Sequence, residues 1–201
     1  MAVVVMQNNP RVADDEFGFD EWPWAEAALA GQGIDRLTAE ERGVLCAYAH
    51  NGFKDINDAL WGQIAMTPTL ARRVALIRSA LAKYPLPQTV RVTREAEGQV
   101  YGLVDEASAA ALVDEQFTHD GFMSTSGVSV PPRSRRHRNP VILDMLVPAG
   151  TPALRLSEFS PVPLEREVLL IDARSYVVIG VGMDATRNMW RIQAIVKGGE
   201  Q

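Results

Sequence analysis

The chain has 201 residues, 47% hydrophobic and 22% charged, with 15 Gly, 12 Pro and a formal charge of −5. That composition is ordinary for a globular protein long enough to bury a core, and it excludes wholesale disorder and collagen-like or low-complexity character. The acidic balance disfavours nucleic-acid binding, and the single cysteine, Cys46, excludes an intrachain disulfide or a cysteine-based metal cluster.

Residues 1–20 are polar and acidic, with Asp14-Asp15-Glu16 and several breakers, and read as a loose arm. The start carries no basic segment of a secretory signal, and no stretch reaches the apolar length of a membrane span, so the expectation is a soluble protein without a membrane partner. Trp22-Pro23-Trp24 opens an Ala-rich stretch that ends at Gly31-Gln32-Gly33 and predicts a short helix. Thr38 and Glu41 form a capping box for a second helix ending near Asn51-Gly52, with Cys46 buried in it. Helical patterns follow over 54–61 and 68–83, the latter closed by Pro85 and Pro87. Tyr48 and Phe53 read as core of these helices.

After Pro87 the texture changes to short β-type runs: 89–94, 99–104, 121–126, 141–147, 153–156, 167–172, 176–181 and 189–196, with one helix over 107–116. Helices first and strands afterwards predict an α+β domain. Its N-terminal helical lobe, about 21–86, packs on a mostly antiparallel sheet system, about 87–201.

Four segments carry candidate chemistry. Arg94 ends the first β run, where a guanidinium can grip phosphate bidentately, with Arg91 as the alternative. Ser124-Thr125-Ser126 places three hydroxyls at a strand end, able to brace a carboxylate or a sugar. Phe159 reads as an exposed aromatic suited to docking a partner protein. Glu165-Arg166-Glu167 precedes the apolar run Val168 to Ile171; in a strand the two acids project to one side, about 7 Å apart at their α-carbons. Such a pair suits a cationic group or a developing positive charge, although a solvated strand entrance has the same pattern.

In this order the segments resemble the R-S-E class of mono-ADP-ribosyltransferases, which includes bacterial binary, C3-like and arginine-directed toxins. Upstream, Leu37 to Glu41 and Asn51 to Leu60 are similar to the helical segment preceding that core. The resemblance implies an ADP-ribosyltransferase-type fold with a two-sheet β-sandwich core, NAD+ as substrate and no metal. It assigns Glu167 to the ribose cation and Glu165 to an acceptor arginine on a target protein. Ser124 would position Glu167 or the ribose, with Thr125 and Ser126 beside it. Arg94 would hold the phosphates and Asn57 would contact NAD+. It further implies a soluble protein, cytoplasmic or delivered into a host cell. Two alternatives stay open: an NAD+ glycohydrolase, and a silent binding module of the same fold.

Pro131 to Arg138 holds four arginines and a histidine; without those arginines 16 basic residues face 25 acidic ones. The run reads as a nucleic-acid patch, as a solvated flexible loop or, by the resemblance, as a cover for the NAD+ phosphates. Gly180-Val181-Gly182 lacks the rest of a dinucleotide fingerprint, and His50, His119 and His137 have no metal-ligand spacing.

Overall fold

A computed structural model describes residues 18–134, 137–160, 165–184 and 187–198. Helices α1 (Ala25–Ala28), α2 (Ala39–Ala47), α3 (Phe53–Leu60) and α4 (Pro68–Ala82) come first. The capping box at the start of α2 forms as expected: the Thr38 hydroxyl accepts from the Glu41 amide, and Glu41 Oε2 accepts from the Thr38 amide at 2.8 Å. The same carboxylate accepts from Ser79 and Lys83 of the α4 region, so one acid caps one helix and fastens another to it. Burial pushes the Glu41 carboxyl up, but the bonds from Lys83, the Thr38 backbone and Ser79 outweigh it and bring the group down to about 2.

Asn51-Gly52 does not end a helix. The chain passes from α2 through a π turn, Tyr48–Gly52, straight into α3, and Gly52 keeps right-handed helical angles. A Cβ at Gly52 would stand 2.9 Å from the Ala47 carbonyl, so glycine is what the wide turn tolerates there. The turn leaves Cys46 exposed and Phe53 43% exposed, where burial was expected for both, while Tyr48 is buried.

Eight strands follow: β1 (Val90–Glu97), β2 (Gln116–His119), β3 (Met123–Ser126), β4 (Pro140–Val147), β5 (Ala153–Arg155), β6 (Glu167–Leu170), β7 (Arg174–Asp184) and β8 (Met189–Val196). Strand β8 has the predicted bounds. The run 99–104 is not a strand: Gly98–Tyr101 makes a 3₁₀ turn, followed by α5 (Glu106–Ala111). Its valines, Val100 and Val104, stand exposed at 67% and 79% with no neighbouring strand to cover them. Gln116, predicted to end a helix, opens β2 instead, where Phe117 packs between Tyr101 and Tyr176 at 5.0 and 5.8 Å.

Backbone hydrogen bonds join the eight strands into one sheet of order β2-β7-β8-β4-β1-β3-β6-β5, where two packed sheets were expected. Among the strands of the described residues, only β4 and β8 pair in parallel. The seam is narrow: β1 and β3 share the single pair Thr93↔Ser126. Beyond it, β3, β6 and β5 are buried on both faces. Met123, Val168 and Leu170 join the core of Val92, Met145 and Ala194, whereas Phe122, Leu154 and Leu169 join that of the helices. Continuous apolar runs, rather than alternation, are what such doubly covered strands require.

A buried charge cluster ties the N-terminal side to the sheet. Asp144, fully buried on β4, accepts from Arg91 at 2.9 and 2.8 Å and also from Arg191. The Arg91 guanidinium lies 4.6 Å over the Phe19 ring and 4.5 Å over the Trp24 ring, and also bonds Asp20. Phe19 and Asp20, assigned to a loose arm by composition, are therefore docked. Asp144→Ala leaves two guanidinium groups without their buried anion and is expected to cost about 3–5 kcal/mol. A thermal melt reads the loss; an unchanged midpoint would show that the cluster carries no weight.

Candidate active site

Each hydroxyl of Ser124-Thr125-Ser126 on β3 holds a different part of the 165–168 segment. Ser124 Oγ donates to Glu167 Oε1 at 2.6 Å, Thr125 Oγ1 to the Val168 carbonyl at 2.7 Å, and Ser126 Oγ to the Glu165 carbonyl at 2.9 Å. The register, Ser124↔Leu169 and Ser126↔Glu167, makes Ser124 and Glu167 diagonal neighbours on one face of the sheet.

Glu165 and Glu167 do reach the same cleft, but not by strand alternation. Strand β6 begins at Glu167, and Arg166 before it is left-handed, with φ of 48°. Its carbonyl accepts from the Gly127 amide at 2.9 Å, which fixes the turn against the end of β3. Glu165 thus arrives from a turn; Pro163 and Leu164, which the sequence places before it, lie outside the described residues.

Arg91 and Arg94 stand three positions apart and so face opposite sides of β1. Arg91 is held by Asp144 and the two rings, while Arg94 lines the cleft, its Nη1 3.5 Å from the Ser124 carbonyl. Asn57 also lines the cleft, with its amide engaged: Oδ1 accepts from the Phe122 amide at 3.0 Å, and Nδ2 donates to the Tyr48 hydroxyl at 3.2 Å. It braces the start of β3, and the packing is tight enough that a Cβ on Gly121 would meet Asn57 Oδ1 at 2.8 Å. Phe53 and Trp61 flank the opening and are partly exposed. Phe159, expected to be an exposed docking residue, is instead 9% exposed and packs with Leu154, Leu156 and Leu169.

The cleft encloses about 460 Å³, within the range of small-ligand sites. Pro131, Pro132 and Ser134 form part of its wall, so the basic loop does border it. Arg133 turns to another hollow beside Arg187 and Trp190, and Arg135 and Arg136 lie outside the described residues. Burial raises the Glu167 carboxyl above the ordinary carboxylate range, the bond from Ser124 opposes this, and the charge of Glu165 adds to it. His119, edge-on to Trp61, is pushed down to about 4 by burial and by the Arg94 charge. Among the described residues no group of three or more His, Cys, Asp or Glu is placed to hold a metal ion, and no helix is long and apolar enough to cross a membrane.

The family described as ADP-ribosyltransferase exoenzyme matches residues 23–196, a span that contains the whole sheet and the cleft. The chain belongs to the ADP-ribosyltransferase exoenzyme family. Its members are transferases that use NAD+. No curated protein matches significantly in sequence. Among solved structures, the chain is similar to Plx2a, an ADP-ribosyltransferase toxin from Paenibacillus larvae (22% identity, 87% of this chain and 94% of that one, TM-score 0.72). It is also similar to C3stau2 from S. aureus, solved with NAD (18%, 92% and 97%, 0.70). A third is BECa, the ADP-ribosylating toxin of a binary enterotoxin of C. perfringens, solved with NADH (21%, 91% of this chain and 48% of that one, 0.72). At these identities the likeness concerns the fold.

The electrostatics of the cleft set a pH expectation. A step that needs ionised Glu167 loses rate as pH falls through the carboxyl's raised pKa, so its acid limb lies above the ordinary value of 4.5. Ser124→Ala removes the bond that lowers that pKa. The limb should move further up, with the plateau rate falling about tenfold from the loss of positioning. A kcat/KM profile between pH 4 and 9 checks this; an unmoved limb would rule out control of Glu167 by Ser124.

Proposed function

We propose that this chain moves ADP-ribose from NAD+ to an arginine of a target protein and releases nicotinamide, as an R-S-E transferase of the E-x-E type. The observation that carries the reading is the joint placement of Glu165 and Glu167 at one cleft, with Ser124 bonded to Glu167.

The bond between the ribose C1′ and the nicotinamide nitrogen breaks, and nicotinamide leaves with the electron pair. Positive charge develops on the ribose. The Glu167 carboxylate stabilises it through the sugar hydroxyls, a differential interaction that grows toward the transition state. Ser124 holds that carboxylate in place, and Arg94 grips the phosphates that orient the leaving bond. Thr125 and Ser126 keep the backbone beneath the two glutamates fixed, and Asn57 serves NAD+ by bracing the start of β3.

An arginine side chain keeps its proton with a pKa above about 12, so it attacks the anomeric carbon only when a base accepts that proton as the new bond forms. Glu165 supplies the base and the negative partner that aligns the guanidinium. The left-handed Arg166 supports this division, because it lets Glu165 approach from outside the strand while Glu167 stays within it.

Labelled NAD+ incubated with arginine-bearing proteins should yield protein-bound label that neutral hydroxylamine releases; label that resists it would exclude arginine as acceptor. Glu167→Ala should reduce both transfer and NAD+ hydrolysis by about 10²-fold or more, the scale of losing a preorganised electrostatic group. Glu165→Ala should lose transfer and keep hydrolysis, and normal transfer by that variant would remove Glu165 from the mechanism.

A further inference from the structure

The wall of the cleft formed by Pro131, Pro132 and Ser134 belongs to the loop between β3 and β4, whose described residues form no helix or strand. Its path is set by tethers to neighbouring strands. Near its start, Thr93 Oγ1 donates to the Val128 carbonyl at 2.6 Å and Arg191 Nη2 to the Ser129 carbonyl at 3.0 Å. At its end, the Arg138 and Asn139 amides donate to the two oxygens of Glu97 at 2.8 and 2.9 Å. Between these anchors stands Glu95. Its Oε1 accepts from the Ser134 amide at 2.8 Å and lies 3.0 Å from His137 Nδ1.

Glu95 borders the cleft next to Arg94, and its side chain is 3% exposed. Its Oε2 is buried without a hydrogen-bond partner among the described residues. A buried carboxylate with one oxygen unmet costs about 1–3 kcal/mol, so stability alone does not account for an acid here. What the residue does provide is a fixed wall at the point where the loop meets the substrate.

We propose that Glu95 is a positioning residue of the NAD+ site: through Ser134 and His137 it holds the Pro131–Ser134 wall in its binding conformation before the dinucleotide arrives. This rests on the reading of the cleft as the NAD+ site. A prebuilt wall spares the complex the entropy of ordering the loop, and that saving appears in binding rather than in the chemical step.

The test pairs kinetics with loop cleavage. Glu95→Ala should raise KM for NAD+ about tenfold, equivalent to about 1.4 kcal/mol, with kcat within about twofold. Glu95→Gln, which keeps an acceptor oxygen for the Ser134 amide, should restore KM to within about threefold of wild type. In the absence of NAD+, trypsin should cut Glu95→Ala after Arg133 or Arg138 about tenfold faster than wild type, because loop opening is favoured by the energy of the lost tether. An unchanged KM, or a fall confined to kcat, overturns the proposal, as does unchanged cleavage. A wild-type chain that does not consume NAD+ overturns the assignment of the cleft instead, and the cleavage arm still decides whether Glu95 holds the loop.

Discussion

One backbone pair, Thr93 opposite Ser126, carries the connection between the five-strand and three-strand parts of the sheet. Two strands that stay in register leave no space between them. Strands that part after one pair diverge, and residues of both, Arg94 and Ser124 among them, line the cleft. Three groups of the candidate site lie beside that pair: Arg94 follows Thr93 on β1, Ser124 lies two residues before Ser126 on β3, and Glu167 is Ser126's partner on β6. Because β3, β6 and β5 are buried on both faces, the strands that carry the hydroxyls and Glu167 are held by the two hydrophobic clusters at once.

The buried charges separate into two kinds. Asp144 is met by two guanidinium groups, and Glu41 by a lysine, a serine and a helix amide; both are satisfied, and both fasten elements together. Glu167 is half-buried with one hydroxyl donor and a second glutamate's charge acting on it, and its carboxyl is raised accordingly. An acid left under-compensated in a cleft is stored electrostatic work, available to a cation that forms beside it.

Much of this was legible in the sequence, for reasons that differ by residue. The Thr38–Glu41 cap is a local rule and formed as read. The β8 run matched its bounds because its apolar residues and flanking breakers agree. Arg91 and Arg94 were separable in principle: odd spacing places them on opposite faces, and an aspartate within the apolar run Val141 to Val147 signals a buried cationic partner. Other features depend on distant contacts that no local pattern records. Val100 and Val104 look like strand residues but have no partner strand; β2 is four residues long and exists by leaning on β7; Phe159 is drawn into the helical core. The turn at Arg166 was hidden for another reason, since a left-handed arginine has no compositional mark.

The segment between Leu156 and Glu167 has its ends stapled together, as the Leu156 amide donates to the Glu167 carbonyl at 2.9 Å. A loop closed in this way behaves as an interchangeable cassette. Its length and content can change at an entropic cost that grows only with the logarithm of its size, while the strand it hangs from keeps its register. Glu165 lies inside the cassette and Glu167 at its fixed rim. The two glutamates are thereby mounted on separate parts, Glu165 on the loop and Glu167 on the strand, so a change in one need not disturb the other.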